Sequence, residues 1–91
     1  MIEEIKSFLD LEDYCYWENL STKDYLGIGL PRFTVMLQDK HLYIEVKTLI
    51  GKQREAQECF EATCKANGHY YLLARSVTDV RRKLKELGEV S

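Results

Sequence analysis

Two runs of alternating residues limit what this chain can fold into more than any other feature. Phe33, Val35 and Leu37 alternate with Thr34 and Met36, and Leu42, Ile44 and Val46 alternate with Tyr43, Glu45 and Lys47. A period of two sends successive side chains to opposite faces of a strand, so each run reads as a strand with one face on a core. Asp39-Lys40 lies between the runs, and a hairpin is the natural connection. Closed symmetrically about that pair, the hairpin sets Thr34 opposite Glu45 and Arg32 opposite Lys47. Arg32, Thr34, Glu45 and Lys47 then share one face, while Val35, Leu37, Ile44 and Val46 take the other.

The rest of the chain supplies helices to cover that hairpin. Ile2, Ile5, Phe8 and Leu9 have helical spacing and continue to Glu12. Residues 14–30 mix aromatics with turn formers, with a short strand expected at Tyr14–Trp17. Gly51 breaks the second hairpin strand, and Gln53 to Ala66 forms a helix with Ala56, Cys59, Phe60 and Thr63 on its buried side. Asn67-Gly68 ends it as a left-handed cap. Tyr70 to Ala74 is a further strand, and Ser76-x-x-Asp79 opens a last helix with Val77, Val80, Leu84 and Leu87 inward. The order α, β, β, β, α, β, α describes a small α/β domain, a mixed sheet with a central hairpin flanked by helices. No repeat or linker divides it, so residues 1–91 form one domain.

Composition narrows the functional classes. No apolar run approaches the ~20 residues that span a bilayer, and MIEEIKSFLDLED has acids where a secretion signal needs bases, so a cytoplasmic location is expected. Cys15, Cys59 and Cys64 are odd in number and lack CxxC spacing, which argues against a disulfide framework and a structural zinc site, so reduced core residues are expected. Charge is unevenly placed. Residues 1–26 carry seven acids and two bases, whereas residues 27–91 carry eleven bases and eight acids, which permits a basic groove on a net acidic protein.

The polar face of the hairpin has a definite chemical use. A carboxylate at Glu45 can hold Mg²⁺ or Mn²⁺ against a phosphate oxygen, and a lysine two residues on, Lys47, can orient or deprotonate an attacking water. The ordinary alternative is a solvated strand face. Gln57, one turn into the following helix, is spaced to reach the same face. Lys52, Arg54 and Arg75 flank it as candidates for nucleic-acid binding. Arg81, Arg82 and Lys83 stand on the exposed side of the last helix, where simple solvation is the commoner explanation.

Taken in order, Gly29-x-Pro31, Glu45-x-Lys47, Gly51-Lys52, Gln57, Asn67-Gly68 with Tyr71, and Ala74-Arg75-Ser76-Val77-x-Asp79-Val80 resemble the VRR-NUC domain. That family is a compact branch of the PD-(D/E)xK nucleases, with a restriction-endonuclease-like fold, often found as stand-alone phage proteins. The resemblance covers residues 27–88 well and the first 26 loosely. It implies a Mg²⁺- or Mn²⁺-dependent, structure-specific endonuclease acting on branched DNA of the Holliday-junction type as a homodimer, in the host cytoplasm if phage-encoded. Glu45 would be a metal ligand, Lys47 the catalytic lysine and Gln57 the supporting glutamine. A helix-one glutamate, Glu4 fitting slightly better than Glu3, would complete the metal site.

One position departs from the pattern. Arg32 stands where the family has a metal-binding aspartate, and a guanidinium is a permanent cation with no acceptor. It would repel a metal, and it could pair with Glu45. Three accounts stay open: a catalytically inactive DNA-binding or partner-binding module on the same fold, a substitute carboxylate such as Asp24 or Glu18, or an alteration at position 32. The aromatics Tyr14, Tyr16, Trp17 and Tyr25 are candidates for a subunit contact or for covering the monomer's own core.

Overall fold

A computed structural model describes residues 1–19, 31–47 and 55–88. The elements in order are α1 (Ile2–Leu11), β1 (Cys15–Glu18), β2 (Phe33–Met36), β3 (His41–Val46), α2 (Glu55–Ala66), β4 (Tyr70–Ala74) and α3 (Val77–Glu86). The strands form one mixed sheet in the order β1-β2-β3-β4. β1, β2 and β3 are antiparallel neighbours, and β4 lies parallel to β3. The β3-to-β4 connection carries α2, as a parallel pair requires. Among the described residues no helix is long and apolar enough to cross a membrane.

The two sheet faces follow from the alternation. Phe33, Val35, Leu42 and Ile44 are fully buried in a cluster with Ile5, Phe8 and Leu9 of α1 and Val80 and Leu84 of α3. Burying each such side chain contributes roughly 1.5–3 kcal/mol, so this layer holds the domain together. The opposite face meets α2, where Phe60 packs edge-on against Tyr43 at 5.1 Å between ring centroids. Tyr14 and Tyr16 pack against the core cluster, so these two aromatics cover their own subunit. Trp17 is 44% exposed, and Tyr25 lies outside the described residues.

The hairpin register differs from the symmetric expectation. Phe33 faces Ile44, Thr34 faces Tyr43, Val35 faces Leu42 and Met36 faces His41. The loop closes where the Leu37 N–H donates to the Lys40 carbonyl at 2.8 Å, centred on Gln38 and Asp39 rather than Asp39 and Lys40. A shift of two residues in pairing keeps every side chain on its expected face. Thr34 therefore lies opposite Tyr43, not Glu45, while continuation of the ladder brings Arg32 to Glu45 instead of Lys47.

The α2 stripe is corrected as well. Gln57 and Cys64 are its buried residues and Phe60 is half-buried, whereas Cys59 and Thr63 are exposed. The helix is rotated so that a polar residue, Gln57, takes a central inward position because Glu45 waits for it there. Cys15 and Cys59 are likewise exposed, and only Cys64 is a core cysteine. Two termini match their signals. Gly68 adopts φ +81°, the left-handed conformation a cap needs, and the Ser76 hydroxyl accepts the Asp79 N–H at 3.3 Å. The Asp79 carboxylate reaches back to the Arg75 N–H at 2.8 Å.

Candidate functional site

β3 delivers the site because alternation forces Tyr43, Glu45 and Lys47 to one side of a strand whose other side is core. Glu45 is a carboxylate inside the protein, 7% exposed. Gln57 of α2 donates from Nε2 to Glu45 Oε2 at 2.6 Å, and the Val46 backbone N–H donates to Oε1 at 3.1 Å. Burial raises the Glu45 pKa above its ordinary value, against the opposing pull of the Lys47 charge, the Val46 N–H and the Arg32 charge.

Arg32 is placed by the junction of β1 and β2. The Asn19 backbone N–H donates to the Arg32 carbonyl at 2.7 Å, and the Asn19 amide donates to the Pro31 carbonyl and the Thr34 hydroxyl, both at 3.0 Å. With its backbone pinned there, Arg32 pairs with Glu18, not Glu45: Nε donates to Glu18 Oε2 at 2.6 Å and Nη2 meets the same oxygen. Lys6 of α1 holds the other Glu18 oxygen at 3.3 Å. Burial pushes the Glu18 carboxyl upward, but hydrogen bonds from Arg32 and Lys6 and their charges prevail and hold it below the usual range.

Arg32, Glu45 and Lys47, with Met1, Ile2 and Val46, line a concavity of about 380 Å³ at the end of β3. The fold thus gathers Arg32, Glu45, Lys47 and Gln57. Glu4 is not brought there. It pairs with the Met1 amine at 3.3 Å and lies along the α1–α3 groove beside Phe8, Val77 and Arg81. The candidate cations of α3 also lie across the sheet from Glu45: Arg81 sits over the Phe8 ring at 4.8 Å, Arg82 pairs with Asp79 at 3.5 Å and Lys83 with Glu86 at 3.6 Å. Arg75 sits between β4 and α3, half-buried. Lys52, Arg54 and Asp24 lie outside the described residues.

Among the described residues the carboxylates near the concavity already have partners. Both Glu45 oxygens accept hydrogen bonds, Glu18 is taken by two cations, and the position that would supply a further carboxylate carries a guanidinium. Among the described residues no group of three His, Cys, Asp or Glu side chains is arranged to hold a metal ion. Of the charged side chains that line the concavity, Arg32 and Lys47 are cations and Glu45 an acid whose pKa burial raises.

Reasoning from the sequence missed two features. Lys6 was not singled out, and nothing in its spacing points to Glu18. The ring cluster around His41, Tyr43 and His69 was also passed over, although alternation places His41 and Tyr43 on the Glu45 face. No family model matches the chain, and no curated protein matches it.

Proposed function

We propose that the chain is a nucleic-acid-binding module on a nuclease-like α/β scaffold, holding the phosphate backbone of DNA at the Arg32–Lys47 concavity without a metal ion. The observation that carries this reading is the Arg32–Glu18 ion pair at the position of the expected metal-binding aspartate. A guanidinium has five N–H donors, and Glu18 engages Nε and Nη2, which leaves the Nη1 edge for a phosphate oxygen. Lys47 adds a second cation two residues from Glu45. Burial raises the Glu45 pKa, and its hydrogen bond from Gln57 makes it a structural tie between β3 and α2. Fluorescence anisotropy with labelled DNA in EDTA at about 50 mM salt tests the reading. Binding that weakens on Lys47→Ala and Arg32→Gln supports it, and absence of binding to single-stranded, duplex and branched DNA refutes it.

A second reading is the Mg²⁺- or Mn²⁺-dependent endonuclease that the VRR-NUC resemblance implies. The Glu45–Gln57 contact beside Lys47 favours it, because that is the arrangement expected of the catalytic lysine and its supporting glutamine. Cleavage of branched DNA with Mn²⁺ that disappears on Glu45→Ala would establish it over the first. Either reading accommodates a homodimer facing two strands, which light scattering tests; a mass near 10.7 kDa at micromolar concentration excludes the dimer.

A further inference from the structure

A second concavity, of about 240 Å³, opens on the same face of the sheet and is lined by Tyr43, Phe60, Thr63, Cys64, Asn67 and His69. Its walls are rings. Tyr43 stands at 80° to Phe60 and at 81° to His69, so the three define a corner with flat sides. The turn after α2 brings two polar groups to the rim. Gly68 in the left-handed conformation reverses the chain between Asn67 and His69, and the His69 N–H caps the helix on the Cys64 carbonyl at 3.0 Å.

The hydrogen-bonding character of that rim can be assigned. His69 Nδ1 accepts the His41 backbone N–H at 3.0 Å, so the neutral ring carries its proton on Nε2 and is a donor there. The Asn67 amide donates to the Thr63 carbonyl at 2.8 Å, which leaves its oxygen as an acceptor. The exposed Thr63 hydroxyl serves as either. Flat aromatic walls with a donor and an acceptor at the rim suit a planar heterocycle that presents both along one edge.

Resting on the nucleic-acid reading above, we infer that this pocket takes one unpaired nucleobase of a strand whose phosphates lie at Arg32 and Lys47. Tyr43 precedes Lys47 by four residues, about 14 Å at ~3.4 Å per residue, a span of adjoining nucleotides; Gln57 covers Glu45 between them, so the strand passes beside α2 rather than along β3. Beyond the pocket the rings continue, with His41 stacked on His69 at 5.2 Å and Trp17 edge-on to His41 at 6.0 Å. Such a row offers further stacking surface to a single strand. A base held in a duplex cannot enter without unpairing, so the pocket selects unpaired DNA.

The test compares anisotropy of a labelled oligothymidylate with that of an equally long strand of abasic sites, in EDTA at one salt concentration. Wild type should bind the base-bearing strand at least ~5-fold more tightly, the lower end of what stacking one base on aromatic side chains yields. Thr63→Trp, at an exposed rim position, should fill the pocket and bring the two affinities together with the fold intact by circular dichroism. Equal affinities in wild type overturn the pocket and leave phosphate binding standing. A preference for bases undiminished in Thr63→Trp also overturns it. Binding to neither strand nor to duplex overturns the nucleic-acid reading and the pocket together.

Discussion

Replacing Arg32 by aspartate is the perturbation that separates the two readings of the site. The substitution removes the Arg32–Glu18 ion pair, whose side chains are 33% and 16% exposed, and after allowance for solvent that loss costs about 1 kcal/mol. It also sets a carboxylate across from Glu45. Directly opposed residues on neighbouring strands have Cβ atoms ~5 Å apart, and two like charges at that distance repel by about 3 kcal/mol at an effective dielectric of 20. Proton uptake by the already raised Glu45 relieves part of this. The variant should therefore lose ~2–4 kcal/mol, which lowers Tm by roughly 10–25 °C in a domain of this size. It should also set a carboxylate near Glu45 and free Glu18 of its guanidinium partner, adding an acid where no metal-holding group is found among the described residues. A divalent ion at about 100 times its Kd then returns ~2.7 kcal/mol. Thermal unfolding with and without Mn²⁺ is the assay: Mn²⁺ should raise the Tm of Arg32→Asp by ~10–20 °C and leave wild type unmoved. Wild type stabilised by Mn²⁺, with the effect lost in Glu45→Ala, would refute the argument that Arg32 has closed the site to metal.

Three other outcomes follow from the same structure. Because burial raises the Glu45 pKa, the fold favours its protonated form; that stability is complete below pH 4.5 and is lost as pH rises through the folded-state pKa, so Glu45→Gln should be the more stable protein at pH 7 and lose its advantage toward pH 4 in denaturant titrations. Ser76→Ala removes the hydroxyl that accepts the Asp79 N–H and should cost about 1 kcal/mol, or ~4–8 °C in Tm. Exposed Cys15 and Cys59 should react with a thiol reagent in the native state, while Cys64, buried and with its pKa raised first by burial and then by Glu61, should react only on unfolding.

Much of this fold was legible because the alternation in β2 and β3 has a physical cause. One strand face must be apolar to pack on α1 and α3, so Phe33, Val35, Leu42 and Ile44 announced themselves, and the side of the sheet holding Glu45 followed. Face assignment even survived a wrong register, since pairing slipped by two residues and not by one. Register itself depends on which residues form the loop, and Gln38-Asp39 carries no strong turn signature. Gln57 was legible as a partner for Glu45, but the rotation of α2 was not. A buried glutamine looks like an edge residue to any hydrophobic pattern until its carboxylate partner is known. The partner of Arg32 was hidden for a related reason. Glu18 lies fourteen residues away on another strand, and the β1–β2 pairing, with the Asn19 clamp on Pro31, Arg32 and Thr34, brings the two side chains together.

The claim that Arg32 and Lys47 hold a phosphate backbone in place of a metal is tested most directly by the salt dependence of DNA binding in EDTA. Each neutralised phosphate contributes about −0.7 to the slope of log K against log salt for a single strand and about −0.9 for duplex. Wild type should bind equally well in EDTA and in Mn²⁺, and Lys47→Ala should make the slope shallower by about one contact. Binding that requires the divalent ion, or a slope unchanged by Lys47→Ala, would contradict the account.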